Sequence, residues 1–357
     1  MLREISFRYD LLRNGAFYAY LKADESAVPT IRMDDSAEIK TGFSASFATT
    51  ARDSDGVPLT INWLTDEIEP VMILNGVEYP LGVFMPAKVT YTKRNGAQRI
   101  NVDCYDRCWR VRDTKSASLL YWPSGTAYLD AIKQLLAGAG IGTVFAGVSN
   151  AVFSTDREDW PLGVSYLTVV NDLLNEINFK PLYFDETGAA VLEPAVLPTA
   201  DNIKQTFDMS DPETLCIPDF SREADYYEAP NVFIVCCANP DMDGNLIARA
   251  ANENPQSPLS VQRRGREIVS VQQVDNIASQ TELDAYAAWL RDKSIITGEK
   301  LHPKTGLRPG FGVGIAVGFI DKDEDIVAVG IEHAYTMPLK VGAQMEHSVE
   351  RIVYNLD

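Results

Sequence analysis

The sequence predicts an α+β chain that is mainly β, with two β-regions, each a small or split barrel, either side of a two-helix plus hairpin α+β unit. Three observations predict it. Alternation of apolar and polar residues dominates 1–113 and returns beyond 200, which is the period of half-buried strands. Helical spacing is concentrated in 114–200. Asn-Gly pairs, which tolerate left-handed backbone, recur beside the strand-like segments, where tight hairpin turns need them. These shifts set domain boundaries at 1–113, 114–200 and 201–357.

In the first region Asn14-Gly15, Asn75-Gly76 and Asn95-Gly96 mark hairpins. Over 39–47 the odd positions are Ile39, Thr41, Phe43, Ala45 and Phe47, and the even ones are Lys40, Gly42, Ser44 and Ser46. One face is buried and the other wet. Segments 71–74, 77–84 and 99–111 continue as strands. Pro80 and Pro86 suggest strand ends or an edge, because proline lacks the ladder N–H.

In the middle region Tyr128, Ile132, Leu135 and Leu136 form a helical stripe after Ser124, and Gly138 and Gly140 supply its stop. Tyr166, Val169, Val170, Leu173, Leu174 and Ile177 form a second stripe from about Ser165. Leu135, Leu136, Leu173 and Leu174 are expected to be buried together. Segments 181–185 and 189–193 flank the turn Glu186-Thr187-Gly188 as a hairpin. Trp122-Pro123 and Trp160-Pro161 precede the two helices, where apolar residues can staple helix entry.

Beyond 200 the strand candidates are 231–237, 246–251, 266–274, 313–320, 325–335 and 343–354. A helix over about 280–294 opens on the capping box Ser279-x-x-Glu282 and carries Leu283, Tyr286, Ala287 and Leu290 at helical spacing. Near the C-terminus Gly312, Gly314, Ala316 and Gly318 make one strand face small, and Ala328 and Gly330 do so on the returning strand. Small facing small demands an odd-length loop, of three or five residues, around 321–325. Gly312, Gly314, Gly318 and Gly330 would then let another backbone, that of a neighbouring subunit, approach closely.

The 357 residues carry 50 Asp and Glu against 32 Lys and Arg, a net charge of −18. Such a chain lacks the positive face that releases counterions from nucleic acid, and an anionic membrane surface repels it. Apolar residues at 46% still provide for a packed core. The start, MLREISFRYDLLRNG, has no apolar core behind a basic end, so no signal peptide is expected. No run approaches the length of a membrane span. Cys104 and Cys108, on one strand face, would lie about 13 Å apart, too far for a disulfide. With Cys216 alone, Cys236 and Cys237 adjacent and no CxxC pair, five reduced thiols in a protein made in a cytosol are expected.

The chemistry-bearing fragments are sparse. Asp241-Met242-Asp243-Gly244-Asn245 alternates acids around a glycine, but an EF-hand loop needs a bidentate Glu at its twelfth position, and Asn252 stands there. It reads as a polar hairpin turn, and 321–325 as a charged turn. Asp156 with Glu158, and Asp66 with Glu67, are acid pairs that an acidic chain produces by chance. Of the histidines at 302, 333 and 347, His333 alternates with Ile331 and Val329 and reads as structural. Gly310-Phe311-Gly312-Val313-Gly314 imitates half of a dinucleotide fingerprint, yet a strand follows it, not the helix that phosphate binding requires. No catalytic residue, cofactor or metal is expected.

Three stretches carry a resemblance. They are YPLGVFMPAKVTY (79–91) running into VDCYDRCWRVRD (102–113); AYLDAIKQLLAGAGI (127–141) with YLTVVNDLLNEINFKPLYFDETGAAVLEP (166–194); and LRPGFGVGIAV (307–317) with VGIEHAYTMPLKVGAQMEHSVERIVY (329–354). In these and in element order the chain resembles the baseplate hub proteins of bacteriophage tails and related contractile injection systems. The resemblance implies a homotrimer, each chain carrying two tube-like split β-barrel domains. Three chains would form a pseudo-sixfold ring that adapts the hexameric tail tube to a central spike or tip. It implies contacts with the tail tube protein, the spike or tip protein, other baseplate proteins and the tape measure protein, with no membrane insertion and no specific nucleic-acid binding. It places the protein in the virion, assembled in the host cytoplasm. The competing classes are a cell-wall or polysaccharide hydrolase using paired carboxylates, and a carbohydrate-binding adhesion module.

Overall fold

A computed structural model describes residues 3–24, 27–94, 97–223, 229–237, 246–274, 280–295 and 299–351. The turn Asn95-Gly96, the Asp241–Asn245 fragment and Ser279 of the capping box lie outside the described residues. The chain is α+β and mainly β. It divides into two compact units: residues 1–196 with 306–314 and 333–346, and residues 197–305 with 315–332 and 347–357.

The first unit begins as a sheet. Its strands run in the order Thr30–Asp34, Thr41–Ala48, Ala97–Asp106, Phe84–Arg94, Glu67–Leu74, Ile5–Arg13 and Ala16–Tyr20, and the path among the described residues does not close into a barrel. Asn14-Gly15 and Asn75-Gly76 have φ of 54° and 75°, and of 51° and 81°. Each pair is a two-residue turn between paired strands, joining Arg13 to Ala16 and Leu74 to Val77. Pro80 ends its strand, and Pro86 sits at a bulge where Ala87 is the extra residue between the Asp103–Lys88 and Cys104–Pro86 pairs. A proline inside a strand is tolerated at such a break in the ladder. Phe43, Phe47, Phe84, Tyr9 and Met72 fill the core behind this sheet.

The strand expected over 99–111 is cut short. Helix α1, Cys108–Asp113, replaces its end. Asp106 is the cause: its Oδ1 accepts the Cys108 N–H at 2.9 Å, turning the chain, and Cys108 and Val111 then fall on one buried helix face. Helices α2, Tyr128–Gly138, and α3, Tyr166–Glu176, follow as the stripes predict. Ser165 caps α3 by accepting the Leu167 N–H, and Gly140, at φ 77°, lies just beyond the end of α2. Leu135, Leu136, Leu173 and Leu174 are buried in one cluster with Trp122, Phe153 and Trp160. The expected hairpin is present as Tyr183–Phe184 against Ala190–Leu192, and Val144–Ala146, unforeseen, adds to it in parallel.

In the second unit Gln205–Asp208 pairs in parallel with Ala316–Asp321, which pairs antiparallel with Ile326–Pro338, and Cys216–Glu223 pairs with Lys300–Gly306. The strands at 205–208, 216–223 and 300–306 are not among those the sequence predicts. A separate three-stranded sheet, Leu246–Ala251, Val232–Cys237 and Val269–Val274, packs one face on α5, Gln280–Ile295, through Val235, Cys237, Ala248, Leu283 and Ala287. The short α4, Val261–Arg264, precedes the strand Val269–Val274. Among the described residues no helix is long and apolar enough to cross a membrane.

The odd-length loop expected near 321–325 is overturned. Asp321 pairs with Ile326, leaving four loop residues, 322–325, with Asp325 at φ 52°. Val317 therefore faces Gly330 and Phe319 faces Ala328. Large opposite small is the physical rule at work: two bulky chains directly opposed on this buried face would overpack it.

Candidate functional site

Of the acids paired in the sequence, Asp66, Glu67 and Asp156 are held in structural contacts, and Glu158 is exposed. Asp66 is buried and forms a two-pronged pair with Arg13, at 2.8 and 2.7 Å, while accepting the Asn62 N–H at 2.7 Å. Glu67 forms the same kind of pair with Arg107, whose remaining Nη1 donates to the Gly188 carbonyl at 2.6 Å. That clamp ties the sheet to the hairpin of the α+β part. Gly188 is required there, since its φ is 76° and a Cβ would lie 2.7 Å from Val83. Asp156 accepts the Ser124 N–H and the Tyr121 hydroxyl, which hold its pKa below the ordinary aspartate value. A carboxylate stabilised in its charged form is a poor general acid.

Asp106 and Glu69 have raised pKa values. Burial lifts Asp106 from 3.8 to about 6, against the N–H groups of Cys108 and Thr41 that favour its ionised form. Glu69 is raised by burial and by Asp10, directly opposite it on the neighbouring strand. Arg8 lies beside that pair and donates to Asp10 and to Glu78. Neither raised carboxyl was singled out from sequence; the signal for Glu69 was the register of two strands, which one strand alone cannot give.

His333 bonds Asp35 at 2.7 Å, as a structural histidine does. His347 is fully buried in the second unit, with Nε2 at 2.9 Å from the Thr305 hydroxyl and Nδ1 on Glu332. This arrangement of a hydroxyl, an imidazole and a carboxylate has the order of a hydrolytic triad, but all three side chains are buried and no substrate reaches them. Among the described residues no cluster of three or more His, Cys, Asp or Glu could hold a metal.

The first unit carries a groove of about 470 Å³ lined by Arg32, Asp34, Lys88, Asp103, Tyr105 and Trp109. Tyr105 and Trp109 stack with centroids 5.0 Å apart, Arg112 covers Trp109 at 3.9 Å, and Tyr105 lies over Gly42. The ring faces are thus occupied, and no open aromatic platform for a sugar remains in this pair.

The four glycines divide. The expected strand from 313 begins at Ala316, so Gly312 and Gly314 precede it; Gly314 has φ 56° and its carbonyl accepts the Lys180 ammonium at 3.0 Å. Gly318 and Gly330 do lie in strands. A Cβ on Gly330 would be 2.5 Å from the Glu350 carbonyl and one on Gly318 would be 3.4 Å from Ile203 and Thr206, so a close approach at each is made within the chain.

No protein-family model matches the chain, and no curated protein matches it by sequence. Solved structures do. A tail protein from Neisseria meningitidis MC58 superposes with a TM-score of 0.67 at 15% identity, over 97% of this chain and 96% of that one. The 43 kDa tail protein of prophage MuSo2 from Shewanella oneidensis gives 0.67 at 13%, over 96% and 98%. Prophage tail protein gp18 from Listeria monocytogenes EGD-e gives 0.58 at 13%, over 96% and 94%. Likeness over almost the whole of both chains is likeness of fold, and the fold of this chain is that of phage tail proteins.

Proposed function

We propose that the chain is a structural hub of a phage tail baseplate or a related injection particle. The observation that carries the reading is the near-complete superposition on two tail proteins at a TM-score of 0.67. In this reading the chain is a homotrimer, and segments 1–113 and 201–357 supply tube-like split-barrel domains on either side of the 114–200 unit. Six such domains ring a pore, joining the tail tube to a spike or tip, with other baseplate proteins and the tape measure protein as neighbours. Carboxylates facing the lumen keep passing DNA from adsorbing, because like charge repels phosphate over about a Debye length. Gly312 and Gly314 belong to the surface where subunits approach, whereas the close approaches at Gly318 and Gly330 are made within the chain. Electron microscopy of the purified chain tests the assembly: three-fold particles around a pore are expected, and a monodisperse monomer refutes it. Deleting the gene should leave virions without a completed baseplate.

One observation favours a hydrolase as the second reading. Glu69, its pKa raised, faces Asp10, and glycosidic chemistry uses such a pair of carboxyls. Glycan cleavage by the purified chain that disappears in Glu69→Gln would promote it over the hub.

A further inference from the structure

The Trp-Pro pairs ahead of α2 and α3 belong to a longer likeness. Set 38 residues apart, WPSGTAYLDAIKQLLAGAGI (122–141) and WPLGVSYLTVVNDLLNEINF (160–179) share Trp, Pro, Gly, Tyr and three Leu at matching positions. The same offset governs the structure. Trp122 Nε1 donates to Gln134 Oε1 at 2.8 Å, and Trp160 Nε1 donates to Asp172 Oδ2, the matching acceptor, at 2.9 Å. Gly125 and Gly163 take φ of 86° and 80°; beyond the helices Gly140 and Asn178 take 77° and 56°. The N–H groups of Ile141 and Phe179 bond the Leu136 and Leu174 carbonyls, each at 2.9 Å.

A helix can carry such a code by itself. What relates these two is how they meet. The Thr114 and Ser116 carbonyls accept the N–H groups of Tyr166 and Gly163, while the Ala151 and Phe153 carbonyls accept those of Tyr128 and Gly125. The segment before each helix thus pairs with the entry of the other. Tyr128 donates its hydroxyl to Glu176 at the end of α3, at 2.8 Å. At the end of α2 the Tyr166 ring lies on Gly138, where a Cβ would stand 3.2 Å from it. Gly138 and Glu176 are matching positions. Trp122 and Trp160 meet edge to face at 5.9 Å. Phe145 and Tyr183, also matching, both pair with Val191, one from a parallel strand and one from an antiparallel strand. Contacts that return with their partners exchanged are the mark of a two-fold, isologous pairing.

We infer that residues 114–184 are an internal duplication, two copies of one unit that folds as extended segment, helix and strand. The copies are wound around each other on a local two-fold axis that passes between Trp122 and Trp160 and beside Val191. One difference breaks the equivalence. Arg157, over the rings of Phe153 and Trp160, pairs with Glu176, whereas Gly138 brings Tyr166 no carboxylate. The inference stands apart from the hub reading and does not rest on it.

The test uses the full chain carrying Gly138→Glu or Gly138→Leu, each with and without Tyr166→Phe. The axis carries Glu176 onto position 138, so a carboxylate there should accept the Tyr166 hydroxyl as Glu176 accepts that of Tyr128. Any shift the new Cβ asks of the Tyr166 ring is common to both variants and cancels between them. Gly138→Glu should melt about 3 °C or more above Gly138→Leu, the shift expected of one charge-assisted hydrogen bond. Tyr166→Phe should erase that difference. Two unrelated helices predict the opposite order, because a carboxylate at a helix C-terminus opposes the macrodipole. A glutamate variant no more stable than the leucine one overturns the inference. So does a difference that survives Tyr166→Phe, or circular dichroism showing that neither variant folds.

Discussion

Asp106 is fully enclosed, and its two oxygens accept the N–H groups of Cys108 and Thr41. Its pKa of about 6 against 3.8 sets a sign. Between about pH 4 and 6 the folded chain keeps a proton that the unfolded chain has released. Stability from this group is full below about pH 4 and is lost as pH rises through 6, by roughly 3 kcal/mol. Urea melts at a series of pH values should show Asp106→Asn gaining on wild type as pH rises through this window; parallel curves would remove the claim. At the same scale, Leu136 and Leu173 are fully buried between α2 and α3. Truncating either to Ala should cost about 2–5 kcal/mol, measured by the shift in denaturation midpoint. A loss below about 1 kcal/mol would mean the two helices are not packed as described.

Elements were legible where a short segment carries its own signal. The stripe after Ser165 places α3, and Ser165 itself caps it. Replacing that serine by Ala should cost about 1 kcal/mol, because one N–H of the first turn loses its acceptor; replacing it by Asp should not, and equal losses in both would contradict a capping role. The Asn-Gly hairpins were legible for the same reason, since the turn chemistry lies in two adjacent residues. What failed depended on partners distant in sequence. Cys108–Asp113 alternates acceptably as a strand, and only Asp106 folding back on the Cys108 N–H makes it a helix. Strands such as Gln205–Asp208 are four residues long, too short to show a period, and exist because Ala316–Asp321 pairs with them. Matching small residues to small ones predicts the wrong length for the loop at 322–325, because Val317 and Phe319 need Gly330 and Ala328 opposite them. The buried cluster of Thr305, Glu332 and His347 draws on three strands and left no trace in any one of them.

At the scale of the whole molecule, the charge separates the hub reading from any function that grips nucleic acid. The chain carries an excess of 18 negative charges. In the proposed ring, phosphate would meet carboxylate in the lumen. Repulsion reaches furthest when salt is lowest, about 30 Å at 0.01 M. Mobility shifts with linear duplex DNA at that salt should show no complex at micromolar protein, although these conditions favour non-specific binding by most basic proteins. Saturable binding by the assembled wild type would instead mean that a positive face remains exposed in the ring, and the acidic lumen would have to be abandoned.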